Sequence, residues 1–153
     1  MHYYLGIDPG RKGGLALIDE FKNLQYVEPM PALDKGYNYE KIISLIDDLP
    51  DNTTILLELK PGVNEHSASH TTSFGFHCGT LYGICLKKHL VIVSPKMWKH
   101  EYDVFRNYKE SRHDMKLRSI QAAEKYFNMK FKKNEDGMAE ALLIAEYGRR
   151  YKL

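Results

Sequence analysis

The sequence predicts an α/β fold in which a mixed five-stranded sheet carries helices on both faces. Strand-like and helix-like segments follow in the order three strands, helix, strand, helix, strand and further helices. A nearly continuous apolar run at residues 53–59 is typical of a central strand covered on both faces. A hairpin-led sheet followed by crossover helices gives this architecture. The 153 residues, 43% hydrophobic and 27% charged, fit one globular domain over residues 1–153.

Three predicted strands open the chain. Tyr3–Asp8 is rich in β-forming residues, and the sequence PGRKGG after it is turn chemistry that predicts a hairpin into Leu15–Asp19. A third strand is predicted at Leu24–Glu28, and Pro29 and Pro31 end it.

The helices are predicted from apolar periodicity and capping residues. In residues 38–49 the apolar side chains form one helical stripe behind Asn38, a favoured N-cap residue. Residues 60–72 have no periodicity and little to bury, so we expect a loop, and this composition favours mobility. The remaining predictions are a helix from Ser73 to about Lys88, a strand at Leu90–Ser94, a short helix from Pro95, a loop at 107–111, and helices at Asp114–Phe127 and Ala139–Tyr151.

The composition excludes several classes of protein. No apolar run approaches the roughly 18 residues that a membrane span needs. No basic-then-apolar leader precedes the first strand, so we expect no secretion. We also expect no membrane partner and no organic cofactor. Cys78 and Cys85 are seven apart in one predicted helix, too far for a bridge, which favours a reducing, cytoplasmic compartment.

Positive charge is concentrated in the middle of the chain. The net charge is only +2, but residues 87–133 carry 13 Lys and Arg against 5 Asp and Glu. Residues 1–86 carry 6 against 11, and residues 134–153 carry 3 against 4. A basic segment of this kind favours contact with a polyanion, although solvated helix faces would give the same pattern.

Two acidic residues stand at the ends of predicted strands. Asp8 precedes Pro9 and Gly10 and could belong to a simple turn. Glu58 ends the most apolar strand, where a carboxylate costs free energy unless it is paired, for which Lys60 is a candidate, or binds a metal. Strand ends in α/β sheets are also where active sites collect.

A second pair of acids lies near the C-terminus. Asp136 and Glu140 are four apart, which places both carboxylates on one side of a helix with Cβ atoms about 5–6 Å apart. Asp136 could instead cap the helix while Glu140 faces water, and spacing does not separate Asp136 from the neighbouring Glu135. If all four acids converge, their oxygen atoms suit Mg²⁺ or Mn²⁺, and with the basic segment they indicate metal-assisted hydrolysis of nucleic acid.

Four motifs together resemble a known family. GIDPGRKGG at 6–14, the strand-terminal Glu58, SPKMWK at 94–99 and DGMAEALLIA at 136–145 resemble the RuvC-like Holliday junction resolvases, especially the phage-type members. The motifs follow the family's order and spacing over nearly the whole chain. The resemblance implies a ribonuclease H-like fold, a homodimer that requires Mg²⁺ or Mn²⁺, and cleavage of two opposed strands of a four-way DNA junction. The expected location is the cytoplasm of a bacterial or phage-infected cell.

The resemblance also implies roles for individual residues. The family's acidic tetrad is matched by Asp8, Glu58, Asp136 and Glu140. Lys99 and Lys116 occupy positions similar to those of family lysines near the scissile phosphate. Glu140 stands where many bacterial relatives have Asp, and it is four residues after Asp136 instead of three. This departure keeps Glu135 as an alternative to Asp136.

The predicted helix after residue 72 carries a strip of small residues. Gly75, Gly79 and Gly83 recur every four residues, so the helix could approach a second copy closely or pack on its own sheet. The apolar surface of this helix comes from Phe74, Leu81, Tyr82 and Cys85. Since a four-way junction has approximate two-fold symmetry, two coordinated cuts favour a dimer.

Three aromatic residues are candidates either for DNA contacts or for the core. Phe74 is predicted to stack on unpaired bases near Glu58, whereas Phe76 is predicted to be an ordinary core residue. Trp98 is either an anchor beneath phosphate-contacting lysines or simple core.

Other polar residues give weaker signals. The spacing of the histidines and cysteines matches no standard structural zinc site; the residues are His66, His70, His77, Cys78, Cys85 and His89. Phosphate contacts are predicted for a basic group as a whole: Lys87, Lys88, His89, Lys96, Lys99, Arg106, Lys109, Arg112, Lys116, Arg118, Lys130, Lys132 and Lys133.

The sequence therefore predicts a dimeric endonuclease that resolves branched DNA with two divalent ions per active site. One ion would activate water, the other would stabilise the leaving 3′ oxygen, and the products would carry 5′-phosphates. The alternatives are a related nuclease for structured RNA or flap DNA, and a non-catalytic junction-binding protein. A nucleotide-binding domain of the sugar-kinase type needs two such domains, which 153 residues cannot hold.

Overall fold

The sheet is mixed, with the strand order β3-β2-β1-β4-β5. A computed structural model describes residues 1–34, 36–59, 68–105 and 111–153. The elements are β1 (Tyr3–Asp8), β2 (Gly14–Asp19), β3 (Leu24–Pro29), α1 (Tyr39–Asp47), β4 (Thr53–Glu58), α2 (Ala68–Cys85), β5 (His89–Val93), α3 (Pro95–Glu101), α4 (Arg112–Phe127) and α5 (Asp136–Tyr151). Strands β1, β2 and β3 pair antiparallel, whereas β4 pairs parallel with both β1 and β5. The predicted α/β class and mixed five-stranded sheet are confirmed.

Alternation along the strands produces one apolar core on each side of the sheet. Odd-numbered residues of β1, such as Leu5 and Ile7, join the core beneath α1 and α2. Tyr4 joins the other core, which α3, α4 and α5 cover together with Leu56 and Trp98. Within the described residues, no helix combines the length and the apolar character needed to cross a membrane.

Helix α5 is the main support of the second core. It is buried over nearly its whole length and contacts β1 and β2 more extensively than any other helix does. A Cβ atom on Gly6 would lie 2.1 Å from the carbonyl oxygen of Ala141, so the helix can approach β1 this closely only over a glycine.

Several predicted boundaries were wrong. Helix α2 begins at Ala68 instead of Ser73 and ends at Cys85 instead of Lys88. Its first turns contain Ser, His and Thr without an apolar period, so no pattern in the sequence marks the start. Helices α4 and α5 each begin before the predicted residue, at Arg112 and Asp136. Residues 60–67 and the segment 106–110 lie outside the described residues, and with them most of both predicted loops.

One of the predicted core residues is on the surface. Phe76 is 65% exposed, because it lies on the side of α2 opposite Leu81 and Cys85, which pack on the sheet. Cys78 and Cys85 are both free thiols. Burial raises the pKa of Cys85 to about 12, so this thiol stays protonated at neutral pH.

Candidate active site

The ends of two parallel strands bring Asp8 and Glu58 side by side. The register of β1 and β4 runs to the pair Ile7 and Leu57, and the next residue on each strand is the acid. Adjacent strands lie about 4.8 Å apart, and residues at equivalent positions point to the same face. Both carboxylates therefore leave the sheet at its carboxyl edge, on the side covered by α3, α4 and α5.

The first turn of α5 lies against the β1–β2 turn. Gly13 and Gly137 form an isolated parallel bridge. A Cβ atom on Gly137 would lie 2.0 Å from the carbonyl oxygen of Lys12, so the contact requires a glycine there. This packing places the first helical residue, Asp136, above the end of β1, and Glu140 follows one turn later.

These elements enclose a small open cavity, which we call the acidic depression. Its volume is about 210 Å³, and it is lined by Asp8, Gly10, Lys12, Gly13, Lys99, Met115, Lys116, Asp136 and Glu140. Three of the four predicted acids and both predicted active-site lysines thus meet at one place, although they come from four separate elements. Glu58, the fourth acid, is 0% exposed and does not line the depression.

Glu58 is held by the indole of α3. Trp98 Nε1 donates a hydrogen bond to Glu58 Oε1 at 2.9 Å, and both side chains are fully buried. Trp98 is therefore a core residue that also orients an acid. Lys60, the candidate partner in the sequence, lies outside the described residues.

Two lysines pair with the carboxylates of α5. Lys99 Nζ lies 3.1 Å from Glu140 Oε1, which also accepts a hydrogen bond from Ser119 Oγ at 3.0 Å. Lys116 Nζ lies 2.7 Å from Asp136 Oδ2 at the mouth of the depression. Lys116 and Ser119 share one face of α4, whose start is fixed by a capping box between Ser111 and Asp114.

Asp136 is placed in the site and Glu135 is not. Glu135 precedes α5, and its Oε2 accepts a hydrogen bond from the backbone nitrogen of Lys132 at 2.8 Å. It lines a different cavity, beside Pro29 and Met138. The geometry therefore favours Asp136 as the site carboxylate.

The donor set suits a hard divalent cation. Asp8, Asp136 and Glu140 offer only carboxylate oxygens, which Mg²⁺ and Mn²⁺ prefer. Among the described residues, no three His, Cys, Asp or Glu side chains are gathered closely enough to hold a metal as they stand. Lysine ammonium groups pair with the two α5 carboxylates instead. The carboxylate oxygens are suitable ligands for a divalent cation, but these ion pairs must open before the cation can bind.

The site includes residues that sequence reasoning missed. Lys12 lines the depression from the β1–β2 turn, and the basic turn sequence PGRKGG is the signal that could have found it. Ser119 is three residues after Lys116, so helical spacing could have placed it on the same face. Tyr37 donates to the carbonyl oxygen of Pro9 at 2.5 Å, and burial, more than nearby Cys78 and Asp8, raises the pKa of its hydroxyl.

Apart from Lys99 and Lys116, the predicted phosphate contacts that the structure describes do not gather at one place. Lys87 and Lys88 precede β5, at the opposite end of the sheet from Glu58, and pair with Asp47 and Asp51. Arg118 Nη1 donates to the carbonyl oxygen of Phe105 at 2.8 Å, which ties α4 to the segment after α3. Lys96 and Lys133 are exposed, and Phe74 is half-buried. Lys132 Nζ lies 3.8 Å from Glu135 Oε1. The described part of the chain does not include Arg106, Lys109 or the side chain of Arg112.

The histidines and cysteines do not form a zinc site within the described residues. His77 Nδ1 is in close contact with the Tyr39 hydroxyl, and its ring packs edge-on against Tyr37. His66 lies outside the description, and so does the side chain of His70.

The fold is similar to that of two solved RuvC structures. One is described as T. thermophilus RuvC in complex with Holliday junction substrate; the TM-score is 0.65 and the identity 14%, over 99% of this chain and 96% of that one. The other, a Thermus thermophilus RuvC structure, has the same TM-score and identity over 98% of this chain and 96% of that one. No protein-family model and no curated protein matches the sequence. The fold that the resemblance implies is thereby confirmed as similar to the fold of RuvC.

Proposed function

We propose that this protein is a divalent-metal-dependent endonuclease that resolves branched DNA by cutting paired strands of four-way junctions. The observation that carries the proposal is the acidic depression, where acids from β1 and α5 meet lysines from α3 and α4. The fold similarity to a RuvC structure described with its Holliday junction substrate supports the choice of DNA. The products would carry 5′-phosphate and 3′-hydroxyl ends.

In this proposal Asp8, Asp136 and Glu140 hold the metal, with Glu58 close behind them. Bound divalent cations would supply activation of water and neutralisation of charge on the phosphodiester. Trp98 keeps the Glu58 carboxylate oriented. Lys116, whose side chain is 43% exposed at the mouth, is placed to offset negative charge that develops on the phosphate.

A homodimer would bring two such sites to one junction. The side of α2 that carries Gly75, Gly79 and Gly83 is open. Apart from the adjacent backbone of the helix itself, no atom of the described residues lies within 4 Å of a Cβ added at any of them. Phe76 and Tyr82 add exposed apolar surface to this side. A two-fold contact through α2 is therefore part of the proposal, because two symmetric cuts require two symmetry-related sites.

Asp8→Asn tests the metal-site assignment. The amide keeps the size of the side chain but loses the charge, so we expect cleavage of a four-way junction with Mg²⁺ to be abolished while junction binding is retained. Single-turnover cleavage and gel-shift titration measure the two effects. Asp47→Asn, the same change in an exposed ion pair far from the depression, is the matched control and should cut normally. Cleavage by Asp8→Asn at the wild-type rate would show the assignment to be wrong.

The substrate is tested with four-way, three-way and flap DNAs and structured RNA of equal length. We expect the four-way junction to be cut fastest, with paired nicks. Faster cleavage of the flap or of the RNA would redirect the proposal to a related nuclease. Binding without any cleavage in Mg²⁺ or Mn²⁺ would leave a junction-binding protein.

A further inference from the structure

Both carboxylates that α5 presents to the acidic depression are already paired with lysines of other helices. Lys99 of α3 pairs with Glu140 at 3.1 Å, and Lys116 of α4 pairs with Asp136 at 2.7 Å. The environments differ, because the side chains of the first pair are only 9% and 7% exposed, whereas Lys116 is 43% exposed. Both members of the inner pair are desolvated, whereas in the outer pair the Asp136 side chain is 13% exposed and only its lysine reaches far into water.

The negative charge of Glu140 is compensated by side chains of the protein itself. Its Oε1 accepts hydrogen bonds from Lys99 Nζ and from Ser119 Oγ. The Lys99 ammonium also lies 4.8 Å from the centroid of the Trp98 ring. The π face of an aromatic ring attracts a cation, so this contact stabilises the ammonium as well. A buried ion pair persists when its geometry is good and further hydrogen bonds support it, and this pair meets both conditions.

A divalent cation bound beside Glu140 would lie next to the Lys99 ammonium. Two cations next to one carboxylate repel each other, and a desolvated environment strengthens the repulsion. The exposed Lys116 opposes a cation less, because water screens its charge and the side chain can move away. Burial therefore ranks the two lysines, although each contributes one positive charge.

We propose that Lys99 is an internal counter-cation that keeps divalent metals out of the acidic depression and so sets the metal affinity of the DNA-free protein. The inference rests on the proposed function, because it takes Asp8, Asp136 and Glu140 as the metal donors. It gives Lys99 a role that precedes DNA binding and differs from a contact to phosphate. Opening of the Lys99–Glu140 pair is then a requirement for loading the site.

Binding of Mn²⁺ to the DNA-free protein tests the inference without any activity. The free ion is counted by electron paramagnetic resonance for the wild type, Lys99→Met, Lys116→Met and Lys87→Met. We expect Lys99→Met to bind Mn²⁺ at least about tenfold more tightly, and Lys116→Met about two- to threefold more tightly, because the exposed pair is screened. Lys87→Met removes an exposed lysine paired with Asp47 at the far end of the sheet and should bind as the wild type does.

A thermodynamic cycle with Glu140→Gln isolates the pair. When Glu140 is already an amide, Lys99→Met should no longer raise the affinity as it does in the wild type. If Lys99→Met is less stable than the wild type without metal, Mn²⁺ should raise its thermal midpoint more than it raises that of the wild type. An unchanged or weaker affinity in Lys99→Met, an equal rise of the midpoint, or the ranking Lys116 above Lys99 would each overturn the inference.

Asp8→Asn separates this inference from the function on which it rests. If the wild type binds Mn²⁺, Asp8→Asn does not, and Lys99→Met is unchanged, the metal site stands and the role of Lys99 fails. If neither the wild type nor any variant binds Mn²⁺ at millimolar concentration, the proposed metal site fails and the inference fails with it.

Discussion

Glu58 is oriented by a residue forty positions away in the sequence. The Trp98 indole N–H donates to its Oε1 at 2.9 Å, in a place where both side chains are 0% exposed. An indole nitrogen can only donate, so the bond has one direction and fixes which oxygen faces α3. Partners of this kind orient metal ligands in many proteins, and their loss reduces metal affinity or activity.

Trp98→Phe removes this donor and keeps an aromatic ring. We expect the free energy of unfolding to fall by about 1–3 kcal/mol, because a buried acceptor loses a hydrogen bond, and junction cleavage to fall about 10- to 100-fold. Urea unfolding and single-turnover cleavage measure the two losses. Adding Glu58→Gln should reduce cleavage by less in this background than in the wild type, since both changes disturb one bond. A variant as stable and as active as the wild type would show that the bond does not orient Glu58.

Local spacing in the sequence predicted several of these residues but not their partners. Strand ends predicted Asp8 and Glu58, and helical spacing predicted that Asp136 and Glu140 lie on one side of a helix. The proximity of Asp8 to Glu58 comes from the parallel pairing of β1 with β4. The bonds from Trp98 to Glu58 and from Ser119 to Glu140 join residues 40 and 21 positions apart. Only the packing of α3 and α4 on α5 creates such contacts, and no periodicity encodes them.

At the scale of elements, the position in which α5 packs on the sheet determines whether Asp136 reaches the end of β1. The helix begins against the β1–β2 turn, through the bridge between Gly13 and Gly137. A Cβ atom on Gly137 would lie 2.0 Å from the carbonyl oxygen of Lys12 and 2.5 Å from the Gly13 Cα. Both neighbours are backbone atoms, which cannot move aside as a flexible side chain would.

Gly137→Ala should therefore displace the first turn of α5. Alanine favours a helix over glycine by about 0.5–1 kcal/mol, but overpacking against backbone costs about 1–3 kcal/mol. We expect a net loss of stability in urea unfolding, together with weaker Mn²⁺ binding because Asp136 moves away from Asp8. Asn134→Ala, in the exposed loop just before α5, is the control and should change neither. A Gly137→Ala protein of equal or greater stability would contradict this account of the contact.

The elements themselves could be predicted better than their ends. β1, β2 and β4 follow apolar runs with turn residues between them, and they lie within one residue of the predicted bounds. The start of α5 was missed because Asp136-Gly137 resembles a turn, and only the close contact with Gly13 explains a glycine inside the helix. The start of α2 was missed because its first turns have no apolar face.

At the scale of the whole molecule, α2 has two different sides. Leu81 and Cys85 are fully buried against the sheet, which matches the interpretation that the helix packs on its own chain. The glycine strip lies on the outer side, where the described residues leave open space at Gly75, Gly79 and Gly83. Packing on the chain's own sheet and contact with a second copy are therefore compatible, because they use different sides of the helix.

Gly79→Ala tests whether the outer side is an interface. In a monomer the new methyl group would meet open space, and the helix would gain about 0.5–1 kcal/mol from the loss of glycine. In a dimer packed through the strip, the methyl group would separate the two helices, so we expect the dissociation constant to rise at least about tenfold, equivalent to roughly 1.4 kcal/mol. Sedimentation equilibrium measures this constant, and thermal unfolding of the monomer measures the change in helix stability.

Ser44→Ala, on an exposed position of α1, should leave the dissociation constant unchanged. A wild-type protein that stays monomeric at all concentrations would remove the dimer from the proposal. A Gly79→Ala protein that dimerises as the wild type does would place the interface elsewhere, because a close helix contact cannot accept the added carbon without separating.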